Sequence, residues 1–188
     1  MRLVFIDIET TGFDVSRHEI VEIALITEWG GDIDRWHARI RPRHIWSASP
    51  KALEINGYSE EAWEDALTLK EAVFQIAARI PDRCYLVGYN PSFDWGFVQK
   101  ALKESGHFRR RIYLIDVMTL VFEHCIPAGQ PHLSLVATRE FLGMPLEGSH
   151  RAMKDCEDTR QLYHRLSRAG ILDRLWWRFI HLLRILRG

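Results

Sequence analysis

Apolar and polar positions divide the first 40 residues of the chain into three predicted β-strands. Residues 3–8 form a largely apolar run typical of a buried strand, and Thr11-Gly12 ends it. Residues 19–28 and 33–40 are rich in β-forming side chains, which favours two further strands. Because Gly30-Gly31-Asp32 lies between these two runs, the pattern predicts a β-hairpin.

The rest of the chain alternates short apolar runs with segments whose apolar side chains recur at helical spacing. Residues 85–89 and 112–115 are predicted strands, and Ser92 and Asp116 are predicted caps of the helices that follow them. The predicted helices cover residues 69–80, 93–103, a segment after residue 116, 133–142, 152–166 and 173–186. This order predicts an α/β fold in which a mixed five-stranded sheet is flanked by helices.

Charge separates a main body from a C-terminal tail. The 25 Lys and Arg residues balance the 25 Asp and Glu residues, so the net charge of the chain does not indicate an anionic partner. Residues 168–188 contain five arginines and one aspartate, which leaves residues 1–167 acidic. We therefore expect one domain over residues 1–167 and a basic C-terminal helix over residues 168–188. An acidic body that binds nucleic acid needs metal ions or a local basic rim to offset phosphate repulsion.

Cysteine usage and the N-terminus indicate a cytoplasmic protein. Cys84, Cys125 and Cys156 are odd in number and have no paired spacing, which argues against a disulfide framework or a cysteine zinc site. Free thiols fit a reducing compartment. The chain begins with a strand-like segment that lacks a signal-peptide pattern, and no apolar run reaches the roughly 20 residues of a transmembrane helix.

Acidic side chains near the ends of two predicted strands are candidate catalytic or metal-binding residues. Asp7 and Glu9 project from the same face of the first strand, because strand side chains alternate. At about 4 Å two such charges repel by about 4 kcal/mol at an effective dielectric of about 20. A bound divalent cation would relieve this repulsion, and so would solvation of an exposed strand end. Asp94 opens a predicted helix, where the helix dipole favours an acid in any case.

A third fragment pairs a histidine with an acid. His150 directly precedes the predicted helix of residues 152–166, and Asp155 lies within the first turns of that helix. The spacing places an imidazole beside a carboxylate, which suits proton transfer next to a metal ion. Each of these three fragments is ambiguous when taken alone, because ordinary surface residues also occur in such patterns.

Taken together and in this order, the fragments resemble the DnaQ-like (DEDDh) 3′–5′ exonuclease family of the ribonuclease-H-like superfamily. Asp-x-Glu-Thr-Thr-Gly at 7–12, Asn-x-x-Phe-Asp at 90–94 and His-Arg-Ala-x-x-Asp at 150–155 match its three motifs. The resemblance extends from about residue 2 to about residue 166. It implies that the predicted mixed five-stranded sheet is ribonuclease-H-like.

The resemblance also implies the residues of an active site. Two Mg²⁺ or Mn²⁺ ions would be bound by the four carboxylates, namely Asp7, Glu9, Asp94 and Asp155. His150 would be the general base, since an imidazole with a pKa near about 6.5 accepts a proton at neutral pH. The implied substrate-binding residues are Thr10, Thr11, Leu53, Ile55, Asn90 and Phe93. Thr10, Thr11 and Asn90 also fit simple turn positions. Asn56 and Tyr89 depart from the family pattern, which often has histidine at both positions.

We therefore expect hydrolysis of single-stranded nucleic acid from the 3′ end, with release of nucleoside monophosphates and with DNA favoured. A 3′–5′ exoribonuclease that trims RNA ends is an alternative, because discrimination by the 2′-hydroxyl depends on pocket shape. A proofreading or scaffold subunit of a larger nucleic-acid complex is another. The presence of all four acids and His150 argues against a scaffold without activity.

The tail predicts a docking surface. Residues 173–187 combine Trp176, Trp177 and Phe179 with a narrow stripe of arginines, which is too apolar for a helix half-exposed on a monomer. It could pack on the domain or on a second copy as a homodimer, join a larger complex through another protein, or lie on an anionic membrane.

Overall fold

Five strands form one mixed sheet within residues 2–107, 111–147 and 151–187, which are the residues that the computed structural model describes. The strands are β1 (Leu3–Thr10), β2 (Ile20–Trp29), β3 (Asp32–Arg39), β4 (Arg83–Gly88) and β5 (Arg111–Asp116). Their order across the sheet is β3-β2-β1-β4-β5. β2 is antiparallel to both of its neighbours, whereas β4 is parallel to both β1 and β5.

Helices cover both faces of this sheet. They are α1 (Pro50–Asn56), α2 (Leu69–Arg79), α3 (Pro91–Glu104), α4 (Val117–His124), α5 (Leu135–Leu142), α6 (Ala152–Leu166) and α7 (Ile171–Arg187), with a short 3-10 turn at Ile45–Ser47. The predicted mixed five-stranded sheet flanked by helices is confirmed, and so is the hairpin, whose turn is formed by Gly30 and Gly31 at positive φ. Asp116 caps α4 as predicted by accepting a hydrogen bond from the Met118 amide.

Two local expectations differ from the structure. Ser92 does not cap α3, because the helix already begins at Pro91 with Asn90 as its N-cap residue. Proline is favoured at the first helical position, where its missing N–H has no partner to lose. The helix α1 was not expected, although its N-cap Ser49, the following Pro50 and its left-handed C-cap Gly57 are recognisable helix boundaries.

The alternation of β1 divides the core into two layers. Val4, Ile6 and Ile8 face a layer that contains buried side chains of α2 and α3. Leu3 and Phe5 face a second layer, which contains side chains of α4, α5, α6 and α7. Asp7 and Glu9 continue the row of Leu3 and Phe5 along the strand. The same alternation that builds the core therefore directs both acids to the side of the sheet covered by α6.

The C-terminal helix packs one face on the domain and exposes another. Trp177 is 7% exposed within the second core layer, and the Arg165 guanidinium lies 5.4 Å above its ring. On the opposite face, Leu172 is 80% exposed, and Leu175, Trp176 and Phe179 are also more than half exposed. Over the ranges that the structure describes, no helix combines the length and the apolar content that crossing a membrane requires.

Candidate active site

Asp7, Glu9 and Asp155 meet at one end of the sheet. α6 packs along β1 and β2 on the face where Asp7 and Glu9 project, and Asp155 lies in the first turn of this helix. One carboxylate oxygen from each of the three residues lies within 4.8 Å of those from the other two. Two acids of β1 and a third that is distant along the chain thus share a single cluster.

A buried glutamate on the neighbouring strand positions α6. Glu22 lies opposite Glu9 in the β1–β2 register, and its Oε1 accepts hydrogen bonds from the Ala152 amide (3.2 Å) and from His37 Nε2 (2.8 Å). The Ala152 amide is one of the free N–H groups at the start of a helix. The contact therefore fixes the end of α6 that carries Asp155, and it also adds a negative charge beside the cluster.

Asp94 approaches the cluster from the other side of β1. The parallel pairing of β1 with β4 extends only to Phe5, so the amide of Ile8 lies beyond the paired segment. Asp94, in the first turn of α3, accepts a hydrogen bond from that amide at 3.0 Å through Oδ1. Asp94 is not one of the three residues whose ligand atoms lie within 4.8 Å of one another. The structure therefore places it next to β1 at the margin of the cluster.

The turn that leads to Asp94 is a tight one. Asn90 adopts a left-handed conformation (φ 66°), which asparagine tolerates better than most residues, and its amide donates to Asp116 Oδ1 at 3.0 Å. A side chain at Gly88 would come within 2.9 Å of the Pro91 ring and within 3.4 Å of the Ile6 carbonyl oxygen. The chain can therefore turn from β4 into α3 close enough to β1 for Asp94 to reach it.

The cluster is a region of strong negative potential. Burial and the neighbouring carboxylates of Asp94, Asp155, Glu9 and Glu22 raise the pKa of Asp7 well above its ordinary value. Burial, followed by the charges of Asp155 and Glu22, raises the pKa of Glu9 to about 7. Burial raises the pKa of Asp94 to about 8. Each of these acids is therefore harder to ionise in the metal-free protein than in water.

These properties fit divalent cations. Hard dications prefer oxygen ligands, and the cluster offers carboxylate oxygens close enough together to share an ion. A bound cation would also favour the ionised forms that burial and like charges disfavour. Asp7 and Glu9 on β1 and Asp155 on α6 would hold such ions, with Asp94 beside them.

The metal-free protein is expected to lose stability as the pH rises from about 5 to 8. Between the ordinary pKa values of 4.5 for Glu9 and 3.8 for Asp94 and their folded values of about 7 and about 8, the folded state binds more protons than the unfolded state. The free energy of unfolding therefore decreases with pH across this window. Thermal denaturation in EDTA at pH 5, 6, 7 and 8 measures the effect, and a constant or rising melting temperature would contradict it.

Four of the predicted substrate-binding residues lie on α1 and at the end of β1, which a hydrogen bond of Asn56 joins. Asn56 is buried and donates to the Thr10 carbonyl at 2.8 Å, which ties α1 to the end of β1. Leu53 is half-buried and Ile55 is exposed on this helix. The hydroxyl of Thr10 donates to the Gly12 carbonyl at 2.8 Å, and the hydroxyl of Thr11 accepts from the Glu19 amide at 3.0 Å. Both hydroxyls thus have bonds within the loop after β1, and a nucleotide contact at these two positions remains a prediction.

An exposed aromatic residue near the site was not expected from the sequence. Phe13 is 87% exposed, and its ring centroid lies 6.2 Å from that of Phe93, which directly precedes Asp94. A large apolar side chain directly after the Thr11-Gly12 turn was the available signal. The pair offers an apolar surface at the start of α3, next along the chain to Asp94.

Buried polar residues of the second core layer were also missed. Asp158, which the sequence alone does not distinguish from a helix-surface acid, is 1% exposed and pairs with Arg139 at 3.0 Å and with Lys154. Arg151 is exposed and lies near Gly57, and its charge offsets part of the rise in the pKa of Glu9.

His150 lies outside the described residues, and so do Arg109 and Arg110, the first two residues of the basic run Arg109-Arg110-Arg111. The role of His150 as a general base therefore remains a prediction. Its chain neighbours Arg151 and Ala152 lead directly into α6, whose first turn carries Asp155.

Comparison with protein families identifies one match. The family model RNase_T, described as exonuclease, matches residues 4–163. A PolC-type DNA polymerase III of Thermotoga maritima is 31% identical over 164 residues, which cover 86% of this chain and 12% of that protein. The chain thus spans about an eighth of the length of this relative. The DNA polymerase III subunit epsilon of Aquifex aeolicus is 25% identical over 177 residues, which cover 94% of this chain and 83% of that protein.

Solved structures share the fold. The crystal structure of Escherichia coli exonuclease I in complex with a dT13 oligonucleotide matches with a TM-score of 0.74 and 16% identity, over 89% of this chain and 42% of that chain. An exonuclease I structure that covers 96% of this chain and 43% of that chain matches with a TM-score of 0.75 and 17% identity. The predicted ribonuclease-H-like fold is therefore confirmed.

Proposed function

The chain belongs to the RNase_T exonuclease family, of DnaQ-like 3′–5′ exonucleases, and we propose that it hydrolyses single-stranded DNA from the 3′ end and releases nucleoside monophosphates. The observation that carries this proposal is the cluster of Asp7, Glu9 and Asp155, whose carboxylate oxygens lie within 4.8 Å of one another. Crowding like charges in a partly buried cluster is costly, and bound divalent cations would offset that cost.

Metal binding follows from the same cluster. The ligands would be Asp7, Glu9, Asp94 and Asp155. Two bound Mg²⁺ or Mn²⁺ ions would supply Lewis-acid activation of the attacking water and would stabilise the negative charge of the leaving oxygen. Either ion suits carboxylate ligands, and Mg²⁺ is the proposed ion in the cell because metal availability, and not affinity alone, decides which ion fills such a site.

The protein's own groups complete the reaction. His150 accepts the proton of the attacking water, since it directly precedes the helix that carries Asp155. Arg151 is exposed beside Glu9 and is suited to bind a phosphate oxygen of the substrate. Asp94 fixes the end of β1 through the Ile8 amide and thereby holds Asp7 in place.

Base contacts would come from the apolar approach to the cluster. Phe93, with the exposed Phe13 beside it, lies on one side, and Leu53 and Ile55 of α1 project from another element near Thr10. Stacking of bases on aromatic rings is worth about 1–3 kcal/mol per base and tolerates any sequence, as an exonuclease requires. The Thr10 and Thr11 backbone and Asn90 at the start of α3 are the proposed polar contacts.

DNA is the favoured substrate because the relatives named above are DNA polymerase proteins and exonuclease I was solved with DNA oligonucleotides. The alternative of a proofreading subunit is favoured by the epsilon subunit, of which this chain covers 83%. The alternative of an exoribonuclease differs only in the sugar that the pocket admits.

The test uses 5′-labelled single strands of DNA and RNA with Mg²⁺, Mn²⁺ or EDTA. The proposal expects a ladder of products that shortens from the 3′ end, with DNA preferred and with no cleavage in EDTA. Internal cuts or release of the label as a mononucleotide at early times would overturn it, and so would equal activity in EDTA. A ladder with RNA alone would select the exoribonuclease.

The exposed face of α7 is proposed to pack against a second copy of the chain, with a larger complex as the alternative. Leu172, Leu175, Phe179 and Leu182 recur at alternate spacings of three and four residues, which is the pattern of a helix–helix seam, and all four are exposed. The proposed domain boundary lies after residue 167. A cytoplasmic location is also proposed, because the three cysteines are free and buried.

Replacement of Leu175 by Glu is expected to convert a dimer into a monomer, because it places a charge in the centre of this apolar seam. Sedimentation velocity over a range of concentrations measures the change. Phe74→Glu on α2 is the matched control, since Phe74 is also an exposed large apolar residue and α2 packs in the core layer on the other side of the sheet from α7. A full chain that stays monomeric at all concentrations would contradict the second-copy version.

A further inference from the structure

A single buried arginine connects the acidic cluster to the chain segment that leads toward His150. Arg139 lies on α5, and its side chain is completely buried. Its Nη1 lies 3.4 Å from Asp155 Oδ1, and its Nε lies 3.0 Å from Asp158 Oδ2. The guanidinium therefore contacts a proposed metal ligand and a second acid one helical turn further along α6.

The same guanidinium binds the loop after α5. Nε donates to the Pro145 carbonyl at 3.0 Å, and Nη2 donates to the Pro145 carbonyl and to the Glu147 carbonyl, the latter at 3.2 Å. Glu147 precedes His150 by three residues in the sequence. One rigid, planar group thus holds an acid of the metal cluster and the last described carbonyls before the proposed general base.

Stability alone does not account for this arrangement. Burying an arginine and two carboxylates removes three charges from water, and apolar side chains of similar volume commonly stabilise a core at least as well. A guanidinium adds what an apolar side chain lacks, namely a fork of N–H donors in a fixed plane. Groups that hydrogen-bond to a metal ligand orient it, and their loss typically weakens metal binding about 10–100-fold.

We propose that Arg139 is a positioning residue for this active site, which clamps Asp155 and the 145–147 segment in one arrangement so that Asp155 keeps the orientation in which its carboxylate can share an ion with Asp7 and Glu9. The inference rests on the proposed exonuclease function and adds a residue that none of the three sequence motifs contains. Asp158 is its partner, because it holds the guanidinium in the orientation from which Nη1 reaches Asp155.

Electrostatics and positioning predict opposite effects of removing Arg139. If its charge mattered only as a cation near the cluster, its loss would make the site more negative and would tighten the binding of a divalent ion. If the guanidinium positions Asp155, its loss weakens binding. The sign of the change in metal affinity therefore separates the two in a variant that lacks only Arg139. A variant that also lacks Asp158 loses one positive and one negative charge, so electrostatics predicts little change there and positioning still predicts weaker binding.

The experiment measures Mn²⁺ affinity by electron paramagnetic resonance and, separately, kcat and KM on single-stranded DNA. The decisive variant is Arg139→Met combined with Asp158→Leu, because it removes both charges of the buried pair and leaves a core of similar volume. We expect Mn²⁺ binding to weaken by about 10–100-fold and kcat to fall while KM changes little. Arg139→Lys keeps the positive charge but lacks the planar set of N–H donors. Its Mn²⁺ affinity is expected to lie between that of the double variant and that of the unmodified protein.

Arg160→Met is the matched control. Arg160 lies on the same helix as Asp155 and pairs with Glu28 at 2.5 Å, and both side chains are 17% exposed. Its loss removes a comparable ion pair without touching the acidic cluster, so Mn²⁺ affinity should not change. Equal weakening in the control would mean that damage to α6, and not loss of the clamp, is responsible, which would overturn the proposal.

Unchanged or tighter Mn²⁺ binding in the double variant would also overturn the role of Arg139, and it would leave the exonuclease proposal intact if the unmodified protein degrades DNA. Conversely, an unmodified protein that binds Mn²⁺ but releases no nucleotides would refute the exonuclease function. The Mn²⁺ affinities of the variants would then still decide whether Arg139 positions Asp155.

Discussion

Replacement of Asp7 by Asn is expected to reduce nucleotide release by on the order of a thousandfold while raising the melting temperature of the metal-free protein. Asp7 lies at the centre of the negative charge, because the carboxylates of Asp94, Asp155, Glu9 and Glu22 all raise its pKa. A neutral amide of the same shape removes one strong metal ligand and the repulsion at once. Activity and stability should therefore change in opposite directions.

The two effects are measured by release of nucleoside monophosphates from labelled DNA and by thermal denaturation in EDTA at pH 8. Asp65→Asn is the matched control, since Asp65 is an exposed acid remote from the three motifs, and neither quantity should change. A variant that loses activity together with stability would indicate that Asp7 supports the fold, which would contradict the assignment.

Replacement of His150 by Ala is expected to lower kcat by about 10²–10⁴-fold, the usual contribution of a general base. Binding of single-stranded DNA and of Mn²⁺ should be retained, because the carboxylates on β1 and α6 are untouched. The role of general base is assigned to His150 because it directly precedes Arg151, the N-cap residue of α6, and the first turn of α6 contains Asp155. Rapid-quench kinetics for kcat and fluorescence anisotropy for DNA binding separate the two quantities.

His132→Ala serves as the control for this experiment, since His132 is exposed and its backbone carbonyl, which a substitution retains, accepts the bond from Gln130. The account would be contradicted if His150→Ala kept its kcat and lost DNA affinity. Such a result would make His150 a substrate contact, and another group would have to accept the proton.

The parts of the site that could be predicted from the sequence are those that depend on local periodicity. Two residues apart on a strand, Asp7 and Glu9 had to share a face. Asp155 followed from the helix that begins at Ala152, whose boundaries matched those expected. The three motifs then joined these fragments into one site.

The parts that could not be predicted depend on contacts between distant segments. Glu22 and Asp158 resemble surface acids in sequence, and only the packing of α6 against β2 and α5 reveals that both are buried. Arg139 lies sixteen residues from Asp155, with no periodic signal that links them. Asn56 is the last residue of an unexpected helix, and it bonds to the carbonyl of Thr10, which is forty-six residues away.

The central claim is that acids from distant segments form one site for two divalent ions, and a Mn²⁺ titration followed by electron paramagnetic resonance tests it most directly. The account predicts two bound ions per chain in the unmodified protein and weaker binding in both Asp7→Asn and Asp155→Asn. It would be contradicted by a chain that binds no Mn²⁺, or by one whose Mn²⁺ binding is the same in these two variants as in the unmodified protein.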